Sequence, residues 1–210
     1  MAIAALSNFT VPLNSDQSAS SQGMLMPKLK YRFRLTFENF GVNTGDATEL
    51  TKQVQDCGRP SVTFTNQVIE IYNSKINYAG KPSWETIPVK LRDDVNGHVT
   101  KLIGEQNQRQ FDFFEQSTAA VAGDYKFTLR IEMLDGSNGS TVSDNSVLET
   151  WVLYGCYLEK TVWSTLDYKE QGPVVIELTV RYDNAIQTTG GAIGSPTQNQ
   201  SPRGSNALGS

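Results

Sequence analysis

The chain has 210 residues, a net charge of −4 and an apolar fraction of 38%, which allows one domain with length left over for tails. The acidic balance argues against a general nucleic-acid binder, and no apolar run is long enough to span a bilayer. Only Cys57 and Cys156 are cysteines, so two free thiols in a reducing cytoplasm are expected, with a structural disulfide left open.

In chain order, residues 1–26 read as a polar arm, because 15–23 hold no apolar periodicity beyond one alanine. A strand follows. Leu29, Tyr31, Phe33, Leu35 and Phe37 alternate with Lys28, Lys30, Arg32, Arg34 and Thr36, which predicts one apolar and one basic face. Residues 39–46 read as a loop, and 48–57 as a short strand broken by Gly58-Arg59-Pro60. Residues 61–72 are β-branched and aromatic and predict a strand. It ends in a crossing that carries Asn73, Lys75 and Asn77, then a turn at Gly80. The next strand, 84–91, sends Ile87, Val89 and Leu91 to the core.

Asp93 and Asp94 stand where the dipole of a helix over 96–116 favours negative charge. Val99, Leu102, Ile103, Phe113 and Phe114 share its apolar side, which Gln106 and Gln110 interrupt. Residues 124–134 alternate cleanly, 135–140 form a loop tip, and 147–158 are a long strand. The last strand, 174–182, turns Val174, Ile176, Leu178, Val180 and Tyr182 inward. The expected organisation is an arm (1–26), a β domain (27–186) and a low-complexity tail (187–210) that is disordered in isolation. The expected fold class is mainly β: an antiparallel β-barrel or two-layer sandwich with one flanking helix.

Catalytic chemistry is not evident. His98 is the lone histidine, no nucleophile elbow is present, and His98, Cys57 and Cys156 lack metal-ligand spacing. The expectation is therefore no enzyme, no cofactor and no metal. The basic series Lys28, Lys30, Arg32 and Arg34 has two readings of comparable weight. One is the solvated exterior of an edge strand, where lysines discourage unwanted pairing. The other is contact with an acidic partner, with Glu132, Glu177 and Asp183 on other strands as candidates. Direct nucleic-acid binding ranks lower. Trp84, Trp151, Trp163, Tyr154, Tyr157 and Tyr168 are read as packing and subunit-contact aromatics.

The pattern Asn73-x-Lys75-Ile76-Asn77-x-Ala79-Gly80, followed by Trp84-x-x-Ile87-x-Val89, resembles the tail tube proteins of contractile-tailed bacteriophages. Pro60 upstream, the acidic pair Asp93-Asp94, Phe111 and Phe114, then Gly155, Leu166-Asp167-Tyr168 and the closing strand 177–183 are similar too. The resemblance implies a ring-forming virion protein whose hexameric rings stack into the inner tail tube, with a lumen through which DNA passes without sequence-specific binding. It implies the sheath, baseplate and tail terminator proteins as partners, no membrane, assembly in the host cytoplasm and a place in the virion tail. Asn73, Lys75, Asn77 and Gly80, with Lys28, Lys30, Arg32 and Arg34, are then the candidate inter-subunit contacts. Two alternatives share the fold: a baseplate or terminator adaptor, for which the added arm and tail leave room, and the tube subunit of a bacterial contractile injection system. A small-ligand-binding barrel is a distant further reading.

Overall fold

A computed structural model of the chain describes residues 27–42, 47–136, 146–189 and 193–194. Residues 27–32 belong to one unit and the chain from Phe33 onward to another. In the first, the Arg32 N–H closes a turn on the Leu29 carbonyl at 3.2 Å, and the Arg32 guanidinium lies 5.5 Å from the centre of the Tyr31 ring. Expectations for most of the arm, for 43–46, for most of the 135–140 loop tip and for most of the tail lie outside the described residues.

The second unit is mainly antiparallel β. Its strands are β1 (Phe33–Glu38), β2 (Val54–Cys57), β3 (Val62–Ile71), β4 (Ser74–Trp84), β5 (Ile87–Arg92), β6 (Phe111–Asp112), β7 (Ser117–Thr118), β8 (Phe127–Leu134), β9 (Val147–Trp163), β10 (Val175–Arg181) and β11 (Asn184–Thr189). Among the described residues two α-helices accompany them, α1 (Ala47–Gln53) and α2 (His98–Gln110). The main sheet runs β1-β8-β9-β10-β5-β2, with β11 also on β9. Among the described residues this path is not closed, so β1 and β2 each keep one unpaired edge.

β9 joins two halves of this sheet. Its first half pairs with β8 and β11, and its second half with β10. The changeover falls at Gly155, whose φ of 68° breaks the pleat. Opposite it the chain passes from β10 to β11 through Tyr182 and Asp183, and the Asp183 N–H donates to the Tyr154 carbonyl at 3.0 Å. Both halves send their apolar side chains into one core: Leu35, Leu129 and Leu153 from one, Val89, Ile176 and Leu178 from the other. This is the sandwich of the two expected architectures. The alternation read in 28–37, 84–91, 124–134 and 174–182 identified the buried apolar residues of β1, β5, β8 and β10, while Glu132 of β8, placed on the polar face, is buried as well.

Several expectations are corrected. β1 begins at Phe33, so Lys28, Lys30 and Arg32 do not lie on one strand face with Arg34. The register gives the reason: Phe33 already pairs with Met133, and β8 ends one residue later. A strand lasts only as long as its ladder has a partner. Residues 48–53, read as strand, form most of α1, which buries Ala47 and Leu50 and pairs Glu49 with Lys52 at 2.7 Å. The spacing Ala47, Leu50, Val54 is helical, a signal the alternation reading missed.

α2 stops at Gln110 rather than 116, because the Asp112 carboxylate accepts the N–H groups of Phe114 and Glu115 at 2.9 and 3.1 Å and folds the chain into a turn. Phe113 and Phe114 therefore leave the helix and stand exposed. Gln106 and Gln110, which interrupt the apolar stripe, both bond to backbone groups of packed elements. Gln106 is fully buried, accepting from the Gly41 N–H and donating to the Tyr125 carbonyl. β9 continues to Trp163, well beyond the expected end at 158.

Candidate assembly surface

Outside the main sheet, β3 and β4 form a two-stranded hairpin of their own. Their β-branched and aromatic residues favour strands, yet most of both strands is exposed. At the root, the Ser61 carbonyl accepts the Glu85 N–H at 3.0 Å and the Ser61 hydroxyl donates to the Glu85 carboxylate at 2.6 Å. Arg59, just upstream, pairs with the buried Glu149 of β9, which also accepts the Trp151 indole N–H at 2.6 Å. Trp84 packs on the core, its ring 5.7 Å from that of Tyr182. The root is thus fixed to the body, and the rest of the ribbon is not covered by it.

Four of the candidate contact residues come together here. Asn73 lies in the two-residue turn, where Tyr72 rather than the asparagine takes a positive φ of 44°. Lys75 meets Glu70 directly across the ladder, 2.6 Å away. Asn77 accepts a hydrogen bond from the Asn66 amide at 3.1 Å. Gly80 is not a turn, as the sequence reading had it, but part of a bulge inside β4. Phe64 pairs with Pro82 and Asn66 with Ala79, so Gly80 and Lys81 oppose the single residue Thr65. A Cβ on Gly80 would come within 2.9 Å of the Thr65 carbonyl oxygen, which explains the glycine.

The basic series divides between the two units. Arg34 sits on β1 directly opposite Glu132, with its Nε 2.6 Å from that carboxylate. Glu132, proposed from sequence as an acidic partner, is therefore one within the same chain. The other two proposed acids are engaged likewise: Glu177 with Lys90 at 2.7 Å and Asp183 with Lys126 at 2.5 Å. Lys28, Lys30 and Arg32 belong to the first unit.

Sequence reasoning missed the apolar side of the hairpin. Ile69, Ile71, Ile76 and Tyr78 are each about half exposed, at 49, 48, 52 and 50%. Ile76 and Tyr78 alternate within the segment taken for a crossing, which was the available signal.

Elsewhere, an open crevice of about 640 Å³ lies along the β9–β10 connection, between Leu166, Asp167, Tyr168 and Glu170. Among the described residues no group of three or more His, Cys, Asp or Glu side chains is placed to hold a metal ion, and no helix is long and apolar enough to cross a membrane. Cys57 and Cys156 are unpaired thiols, and burial pushes both up to about 12.

No protein-family model and no curated protein matches the chain. Solved structures do. A chain of the anti-feeding prophage (AFP) baseplate matches with a TM-score of 0.55 at 14% identity, covering 80% of this chain and 99% of that one. A chain of the PVC sheath–tube complex, an extracellular contractile injection system in its extended state, gives 0.57 at 13%, covering 78% and 92%. The SPP1 tail tube gives 0.50 at 12%, covering 78% and 80%. These neighbours come from a baseplate, a sheath–tube complex and a tail tube. At such identities the likeness concerns architecture, and the chain has the tail-tube-like fold found in tail tubes and contractile injection particles.

Proposed function

We propose that this chain is a structural, non-enzymatic subunit that closes into hexameric rings, and that the rings stack into the inner tube of a contractile phage tail, the conduit for DNA ejection. The observation that carries the reading is the β3–β4 hairpin: a long ribbon with no third strand on either edge among the described residues. An isolated two-stranded ribbon is marginally stable in water, and an open edge of this length is a template for pairing with another chain. A ring of identical copies supplies the missing neighbours without leaving an end.

In this reading Asn73, Lys75, Asn77 and Gly80 lie at copy-to-copy contacts, while Lys28, Lys30 and Arg32 face a neighbouring subunit or the sheath. Arg34, already held by Glu132, contributes least. The net charge of −4 per copy suits a conduit that does not retain DNA. Baseplate and terminator proteins are the expected end partners, and the virion tail is the expected location, after assembly in the host cytoplasm.

The second reading is a baseplate or terminator adaptor, or a tube subunit of an injection system. It is favoured by the match to a baseplate chain over 99% of that chain's length. Electron microscopy of the purified full-length protein tests both. Long tubes support the main tube subunit, single rings support an adaptor, and a protein that stays monomeric at high concentration removes both.

A further inference from the structure

The hairpin has two chemically distinct faces, and they trade character at the bulge. Residues directly opposite each other across a ladder share a face. Beyond the bulge, one face of the tip carries Glu70, Lys75, Asn66 and Asn77 beside Val68. Its polar groups are satisfied within the hairpin, by the Glu70–Lys75 ion pair and the Asn66–Asn77 hydrogen bond. The reverse face carries Ile69, Ile71, Ile76 and Tyr78, half exposed, with Gln67 and Ser74 at its margins. Toward the root the apolar side is the other one: Val62 and Trp84 face each other there, and Trp84 packs on the core. The face the root uses against its own body is thus not the face that is apolar at the tip.

We propose that the tip's Ile69/Ile71/Ile76/Tyr78 face is the buried seat for a second copy of this chain, and that the Asn66/Asn77/Glu70/Lys75 face stays wet in the assembly. This rests on the ring-forming reading and adds to it which side of the ribbon is covered. Area argues for a copy rather than a lone foreign partner. Four half-exposed side chains of this size present on the order of 400 Å² of surface, as large as the biggest patch an ordinary monomer leaves open. That is about half of the roughly 800 Å² per partner that a stable one-to-one interface uses. In a ring every copy both gives and receives this contact, so the covered area per chain doubles. The polar face spends its ion pair and its amide hydrogen bond inside the hairpin, so it has less to gain from a partner than the apolar face.

The test is single-cysteine labelling of the full-length protein. Ile76→Cys and Tyr78→Cys probe the apolar face, Lys75→Cys and Asn77→Cys the polar one. Each is treated with a maleimide in the dilute form and after assembly at high concentration, with assembly followed by sedimentation. The half-buried Cys57 and the buried Cys156, both with raised pKa, form a slow background measured in the parent. Assembly should slow labelling at 76 and 78 by about tenfold or more and leave 75 and 77 within about twofold.

Assembly that protects 75 and 77 instead, or all four alike, overturns the face assignment and leaves the ring reading standing. Absence of assembly in the parent, with all four sites open, overturns the ring reading and this inference with it. Charge substitution gives an independent check: Ile76→Lys should abolish assembly and Asn77→Lys should not, both with the parent's circular dichroism and melting temperature. Assembly of Ile76→Lys at the parent's concentration dependence overturns the proposal. So does protection of 76 and 78 by lipid vesicles under conditions where the protein remains monomeric.

Discussion

The side-chain amide of Gln110 pairs with both backbone groups of Leu158: its carbonyl accepts the Leu158 N–H at 2.8 Å and its NH₂ donates to the Leu158 carbonyl at 3.0 Å. Leu158 lies beside the irregularity at which β9 slips by one residue against β10, with Thr179 opposite Lys160 and Val180 opposite Leu158. The last residue of α2 therefore occupies an edge of β9 that no strand covers among the described residues, as a third strand would.

Gln110→Ala leaves the Leu158 N–H and carbonyl, on a residue only 5% exposed, without partners. The expected cost is about 2–6 kcal/mol, since each of the two orphaned buried polar groups costs about 1–3. Gln110→Glu keeps the acceptor and loses the donor, so it should fall between. Urea denaturation of the three proteins checks the order.

Gly155→Ala should be costly for two separable reasons. The left-handed φ of 68° costs a residue with a Cβ about 1–2 kcal/mol. The new methyl would also collide with the Asp183 carboxylate. In the double variant with Asp183→Ala, the collision is relieved and the backbone strain is not. A double-mutant cycle should therefore show coupling between the two sites, and additive losses would contradict the described corner.

Tyr72→Gly should stabilise the hairpin turn by up to about 1–2 kcal/mol, because a tyrosine at φ 44° carries a strain that glycine does not. Hydrogen exchange of the β3–β4 amides is the readout, and slower exchange in the variant is expected.

Acid stability should depend on the start of α2. The Val99 N–H, and after it His98, hold the Asp94 carboxyl below its ordinary 3.8. The same holds for Asp112, through the N–H groups of Glu115 and Phe114. A carboxyl depressed by folding stabilises the fold fully above its unfolded value, and that contribution is lost as pH falls through the folded one. Asp94→Asn should therefore flatten the fall in melting temperature below pH 3.8.

Both thiols should escape a disulfide-exchange reagent in the native protein and react in denaturant, because burial keeps them protonated. Fast native labelling of Cys156, fully buried in the core, would contradict the packing.

The sequence made the central strands plain and the hairpin only partly so. β5, β8 and β10 alternate because one face meets the core, and alternation is what a reader can see. α1 was hidden because Thr48-Glu49-Leu50-Thr51-Lys52-Gln53 alternates well enough to imitate a strand, while its buried pair, Ala47 and Leu50, is spaced by three. Gly80 was taken for a turn because glycine commonly marks one. The actual turn uses Tyr72, whose residue type does not announce a positive φ. The motif around Asn73 and Gly80 did locate the candidate surface, but it drew the eye to the polar face. Ile76 and Tyr78 acquire meaning only once Ile69 and Ile71 are seen beside them across the ladder.

β9 is a member of both sheet halves, so the two layers are stitched by continuous peptide backbone as well as by side chains pressed together. A shearing load on one layer reaches the other through covalent bonds at Gly155. Such a subunit resists delamination in the way a folded plate does and a glued pair of boards does not.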